Sequence, residues 1–266
     1  MIYLEKTPSA ALAPWVRSLW YCRAPEAPYG RERVLPNGCI QIVLNLCGDS
    51  LTDCGDDGAA SGRVSRAIVV GARGRYEVID TSDLAELAGI VIRPDGFARL
   101  FGERADLFFE QSISLDSVWR EPVVDGLCEV SSPEEKLCRL ERSLIGLVRR
   151  DTCRSEMVDH ALYLFQRRQF SVAECARSVG VSERRLSQVF REEVGLAPKM
   201  WCRIHRFQAA TRALHAGVDV AWSELALRCG YYDQSHFAND FRAFSGIDPT
   251  TYCALRARWQ NHVPVV

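Results

Sequence analysis

The last hundred residues of the chain repeat themselves. Glu174, Ala176 and Gly180 recur fifty positions on as Glu224, Ala226 and Gly230. Phe190, Gly195, Pro198 and Trp201 recur fifty-one positions on as Phe241, Gly246, Pro249 and Tyr252. Two copies of one small unit therefore lie in tandem, with one residue inserted between the halves of the second. No other feature constrains the fold as strongly, because whatever local structure one copy forms, the other must form too.

The chemistry of one copy defines that structure. Ser171 followed by Glu174 is a capping-box pattern, which covers free N–H groups in the first turn of a helix. Ala176 is small enough for a second helix to cross closely. Gly180 permits the positive φ at which the first helix stops, and Ser182 is a good N-cap for the next. That second helix is expected to run to about Glu193 and end at Gly195, with Leu186, Val189 and Phe190 as its buried stripe. Arg184, Ser187, Gln188 and Arg191 fall on the opposite face. In the second copy Cys229-Gly230 makes the turn and Asp233 caps a helix to about Phe244. Its buried stripe is Phe237, Phe241 and Phe244, and its free face carries Gln234, Ser235, His236 and Asn239. The spacing is that of a helix-turn-helix. Faces rich in Arg, Gln, Ser and Asn suit base edges and phosphates. One capped helix pair would fit a generic helical bundle equally well; seven repeated positions argue against that.

Residues from about 155 to 258 resemble the DNA-binding domain of the AraC/XylS transcription regulators. The most specific stretch is Ala226-Leu227-Arg228-Cys229-Gly230-Tyr231, then Asp233-Gln234-Ser235-His236-Phe237, running on to Phe241, Phe244, Gly246, Pro249 and Tyr252. The resemblance implies a long helix joining the units, here Lys199 to Ala216 and stopped at Gly217, which spaces the recognition helices about one DNA turn apart. It implies that Arg184, Ser187 and Gln188 enter one major groove of double-stranded DNA and that Gln234, Ser235, His236 and Asn239 enter the next. Arg191 and Arg203 are candidates for phosphate contacts, and Asp240 is expected beside the second surface. The resemblance also points to a homodimer and, for an activator, to RNA polymerase as a partner.

Composition agrees with a regulator. The 266 residues suffice for two domains of ordinary size. Lys and Arg number 33 and Asp and Glu 34, but unevenly: residues 151–266 hold 15 and 12, residues 1–150 hold 18 and 22. The tilt has the right sign for nucleic acid and is modest, so local arginines must make the phosphate contacts. Met1-Ile2-Tyr3-Leu4-Glu5-Lys6 lacks a signal-peptide core and no apolar run is long enough to span a membrane, so the expected location is cytoplasmic. The 11 cysteines are odd in number, scattered and without a Cys-x-x-Cys pair, which argues against a secreted disulfide framework.

The fold class expected is α+β, with a sensor domain over 1–120, a linker over 121–152 and the double helix-turn-helix domain over 153–266. Candidate strands are Val16–Cys22, Cys39–Leu46, Ala67–Gly71, Tyr76–Ile79 and Gly89–Ile92, divided by turn formers such as Pro36-Asn37-Gly38. Asp53–Gly62 reads as a loop and Pro94–Gly102 as a short helix. Val91–Gly102 and Leu107–Trp119 resemble the closing part of sensor domains attached to some AraC-type regulators, which implies a cupin-like β-barrel. In the linker, Ser132, Pro133 and Glu135 start a helix. Leu137, Leu140, Leu144 and Leu147 then follow at coiled-coil spacing, a candidate dimerisation seam.

Enzymatic chemistry is poorly supported. All five histidines, His160, His205, His215, His236 and His262, lie in the C-terminal half, so a cupin-type metal site lacks its imidazoles. No phosphate loop, nucleophile elbow or HExxH motif is present. The expectation is therefore no catalytic residue, no metal and no cofactor. The alternative regulator is one controlled by redox or metal chemistry at Cys22, Cys39, Cys47 and Cys54, whose spacings match no compact zinc pattern; Cys54 is the most accessible candidate. The simpler reading is a small organic effector inside the barrel, with Trp15, Trp20, Tyr21 and Phe97 as candidate lining.

Overall fold

The computed structural model describes residues 2–24, 30–54, 60–82, 84–148, 155–167, 170–217, 221–255 and 259–265. The N-terminal half contributes ten strands: β1 (Ile2–Lys6), β2 (Val16–Arg23), β3 (Arg31–Val34), β4 (Gln41–Asn45), β5 (Ser50–Cys54), β6 (Ala60–Ser65), β7 (Ala67–Val70), β8 (Glu77–Asp80), β9 (Glu86–Ile92) and β10 (Ser112–Ser114). Three helices accompany them: α1 (Gly96–Phe101), α2 (Val123–Cys128) and α3 (Pro133–Leu147). The C-terminal half is helical: α4 (Glu156–Gln166), α5 (Val172–Val179), α6 (Glu183–Val194), α7 (Pro198–His215), α8 (Trp222–Arg228), α9 (Gln234–Ser245) and α10 (Pro249–Leu255), followed by a short strand, β11 (His262–Pro264).

The expected cupin-like closed barrel is not what the described strands form. They make an open six-stranded sheet in the order β1-β2-β9-β4-β7-β10, a three-stranded sheet β11-β3-β8 and the hairpin β5-β6. Alternation along the large sheet gives its two faces different roles. Leu19, Tyr21, Ile42, Leu44, Val69, Ala88 and Ile90 point into the core that includes Phe97, Leu127 and the leucines of α3. Their neighbours Trp20, Val43, Ile68, Leu87 and Val91 face the other way, onto a cavity of about 500 Å3 that the small sheet and the hairpin close over. Gly89 is required here: a Cβ at that position would sit 2.3 Å from the Trp20 ring, which lies across it. Of the four aromatic residues expected to line a pocket, Trp20 does so; Trp15, Tyr21 and Phe97 are buried core.

Two expectations need correction. The segment read as a loop, Asp53–Gly62, has strand at both ends, with Thr52 paired to Arg63 and Asp53 to Gly62; residues 55–59 lie outside the described ones. The leucine stripe of α3 is not an open seam. Leu137, Leu140 and Leu144 are buried inside their own domain and Leu147 packs at its edge. Lys6 of β1 bonds Glu141 at 2.8 Å, and Lys136 donates to the Leu127 carbonyl at 2.9 Å. Heptad spacing specifies an apolar face but not the body that covers it. Here the cover is the strand pair β1-β2 and helix α2. Ser132 caps α3 as expected, accepting from the Glu135 N–H, while its hydroxyl donates to Glu134.

Candidate nucleic-acid interface

Both units fold by the same local rules. In the first, the Ser171–Glu174 capping box opens α5. Gly180 closes it at φ 76°, with the Val181 N–H reaching back to the Ala176 carbonyl at 3.0 Å. In the second, Gly230 stands at φ 82° and the Tyr231 N–H reaches the Ala226 carbonyl at 2.9 Å. Ser182 caps α6 by accepting from the Arg185 N–H, and Asp233 caps α9 by accepting from the His236 N–H. Gly195 and Gly246 end the two recognition helices, each donating its N–H at 2.8 Å to a carbonyl four residues back. Pro198 and Pro249 then open α7 and α10.

These matched hydrogen bonds locate the inserted residue. Val181 corresponds to Tyr231 at the fifty-residue offset, and Ser182 to Asp233 at the fifty-one-residue offset. Tyr232 is the addition, in the turn between α8 and α9, and its side chain is 86% exposed.

The expected buried stripes, Leu186, Val189 and Phe190 in α6 and Phe237, Phe241 and Phe244 in α9, are in the core. On the opposite faces Arg184, Gln188, Arg191, Gln234, Ser235, His236 and Asn239 are exposed, and Ser187 is half-buried. Gln188 and Asn239 occupy the same position of the two helices, so each unit presents a carboxamide there. That group can donate to and accept from an adenine edge at once. The Gln188 carboxamide bonds Glu192 at 3.0 Å.

Two sites differ from expectation. Asp240 is buried, in the place that Val189 holds in the first unit. Arg203 grips it, Nε at 3.2 Å and Nη2 at 2.6 Å from Oδ1, and His236 Nε2 lies 3.8 Å from the same carboxylate. Asp240 therefore lies buried beneath the expected DNA-facing surface, close to His236 on it, and the Arg203 guanidinium is engaged in holding it. Arg185, exposed in the first turn of α6, and Arg242, exposed near the end of α9, were not among the expected contacts. Arg185 lies one position from Arg184, and helical periodicity alone does not fix which side of such a face meets a ligand; Arg242 holds in the second unit the place of Arg191, so the repeat itself was the signal that could have found it.

The first recognition helix also touches the N-terminal domain. Arg99 of α1 bonds Glu193 of α6 at 2.7 Å, and Arg104 lies 3.6 Å from Glu192. A Cβ on Gly195 would come within 3.1 Å of the Ala105 carbonyl, so the helix end sits hard against that segment.

The described cysteines are free, and no group of three or more described His, Cys, Asp or Glu residues is placed to hold a metal ion. Burial pushes the thiols of Cys39, Cys47 and Cys54 above their ordinary pKa, which disfavours the reactive thiolate. Cys47, not Cys54, is the exposed one of the N-terminal four.

Residues 175–254 match the family described as a helix-turn-helix domain, the one that carries the AraC/XylS signature. That stretch is a helix-turn-helix domain of the AraC/XylS type. Residues 4–114 match a domain of unknown function, DUF6597. The chain is 27% identical over 135 residues to the probable transcriptional regulator LumQ of Photobacterium leiognathi, a match over 50% of this chain and 54% of that one. It thus spans about half the length of that curated relative. Among solved structures it is similar to an AraC-type regulator from Chromobacterium violaceum, with 26% identity, 38% of this chain and 93% of that one covered, and a TM-score of 0.35. It is also similar to ToxT from Vibrio cholerae, with 11% identity, 97% and 99% covered, and a TM-score of 0.47. Among the described residues no helix is long and apolar enough to cross a membrane.

Proposed function

We propose that this protein is a sequence-specific DNA-binding transcription regulator whose N-terminal domain responds to a small organic effector. The observation that carries the reading is the pair of matched recognition helices, each with a buried apolar stripe and an exposed polar face bearing a carboxamide at the same position. Arg184, Ser187 and Gln188 would read one groove and Gln234, Ser235, His236 and Asn239 the next, with Arg191 on phosphate. The effector reading is supported by the cavity, whose volume suits a small molecule. An effector acts only through a difference in its affinity for two arrangements of the chain. Control by cysteine oxidation is less well supported, because the described cysteines form no disulfide and burial raises the pKa of Cys39, Cys47 and Cys54. A homodimer through Leu137, Leu140, Leu144 and Leu147 is not part of this reading, since that face is already covered.

The test is selection of preferred duplexes from a random pool, followed by affinity measurements on the selected and scrambled sequences at fixed salt. A preferred site with two half-sites supports the reading. Equal affinity for both duplexes overturns it.

A further inference from the structure

The cavity has one wall that the N-terminal domain does not supply. Residues 259–265, which follow the second helix-turn-helix unit in sequence, return to the sensor domain. There β11 pairs antiparallel with β3, His262 opposite Val34 and Pro264 opposite Glu32. The Leu35 N–H donates to the Asn261 carbonyl at 2.8 Å, and His262 Nδ1 lies 3.0 Å from Glu32. The rings of Trp259 and Tyr3 meet with centroids 4.5 Å apart. Val263 is wholly buried. Trp259, Gln260, Asn261, His262 and Pro264 all line the cavity.

The same segment is fastened to the DNA-binding half. Gln208 of α7 donates through Nε2 both to the Pro36 carbonyl at 2.8 Å and to Asn261 Oδ1 at 2.9 Å. Gln260 donates to Thr211 at 2.9 Å, and the Tyr252 hydroxyl of α10 donates to the Gln260 carbonyl at 2.8 Å. This seven-residue segment therefore touches the cavity, the helix joining the two units, and the last helix of the second unit.

The wall also indicates the chemistry of an occupant. Its apolar floor carries Trp20, with Tyr3 and Trp259 at one side, and these π faces suit a cation. Among the described lining residues the carboxylates outnumber the basic groups: Glu5, Glu32, Asp53, Glu77 and Asp80 against Arg17 and His262, with Arg73 paired to Glu77 from beside the lining. Burial pushes the Glu77 carboxyl up, Arg73 opposes this, and the nearby Asp53 adds to it. Positive charge brought into the cavity would relieve that crowding; an anion would worsen it.

We propose that the cavity takes a small organic cation, and that segment 259–265 passes its occupancy to α7 and the second helix-turn-helix unit. This rests on the effector reading above. The full-length protein is titrated by calorimetry with 2-phenylethylamine and benzyltrimethylammonium, and with 3-phenylpropanoate and 2-phenylethanol as anionic and neutral controls. The cations should bind about tenfold tighter than either control, and Glu77→Gln should narrow that margin. Affinity for the selected duplex is then measured with and without the tighter cation, and should change about fivefold. Gln208→Ala and Tyr252→Phe lie outside the cavity. Each should keep cation affinity and lose most of the DNA response, the milder Tyr252→Phe serving if Gln208→Ala fails to fold. A control that binds as tightly as the cations, or no binding by either cation, overturns the assignment of the occupant. A full DNA response in both variants overturns the role of the segment. Duplex binding without any probe is scored separately, so failure of the regulator reading is distinguishable from failure of this one.

Discussion

The two helix-turn-helix units share their turns, their aromatic cores and the capping of their second helices, yet are held in different ways. The first is braced from outside: Glu192 and Glu193 of α6 meet Arg104 and Arg99 of the N-terminal domain. The second has Ala243 and Phe244 at those positions and no such pair. Its recognition helix is braced from within, by Arg203 of α7 closing on Asp240. Its connection to the N-terminal domain runs through segment 259–265 and a close approach of Gly246 to the Tyr76 ring. One fold thus carries two tethers, a side-chain clasp on the first unit and a strand on the second.

The sharpest test removes the internal brace. Arg203→Ala leaves Asp240 buried without its main partner, and stability in urea should fall by about 3 kcal/mol, the lower end for a broken buried pair because Arg203 is partly exposed. The double variant Arg203→Met, Asp240→Val puts an apolar pair there, with the valine that the first unit has at position 189, and should recover most of the loss. A loss equal to that of Arg203→Ala would show that the carboxylate is not the cause.

Next come the paired carboxamides. Gln188→Ala and Asn239→Ala should each cost about 1–3 kcal/mol on the preferred duplex and little on a scrambled one. Unequal effects would rank the two units as readers; equal losses on both duplexes would remove base reading from either residue.

The external clasp should matter less. Glu193→Gln cuts the tie to Arg99, and because both side chains retain some solvent contact the stability loss should stay below about 1 kcal/mol. Amide exchange should quicken in α6 and leave α9 unchanged. Exchange that quickens in both would mean that the tethers act as one.

The smallest expected effect is a pH difference. The Ser171 N–H and hydroxyl bond the Glu174 carboxylate and hold its pKa below the ordinary 4.5. A depressed carboxylate stabilises above its ordinary pKa, and that contribution is lost as pH falls through the folded value. Glu224 has no such bond, since Ala221 precedes α8 and supplies no side-chain cap. Acidification should therefore fray the start of α5 before that of α8, as read by amide exchange.

How much of this was legible in the sequence follows from distance along the chain. The caps Ser171, Ser182 and Asp233 and the glycines at 180, 195, 230 and 246 act within a few residues of themselves, so the helical half was readable nearly to its boundaries. The Arg203–Asp240 pair spans 37 residues and was misread as two surface charges. In the N-terminal half the apolar strands β2, β4 and β7 were legible, while β3, with Arg31, Glu32 and Arg33, and the polar hairpin β5-β6 were not. β11 is strand only because β3 lies beside it, some 230 positions earlier. Leu140 and Leu144 announced a buried face and left open what buries it.

The Arg203–Asp240 pair also sets the order in which the two positions can change over generations. If Asp240 goes first, to the valine its counterpart holds, Arg203 keeps a path to water and the intermediate survives. If Arg203 goes first, a buried carboxylate is stranded and the intermediate is penalised. Descent away from this pair is therefore open from one side, and descendants should lose the acid before the arginine.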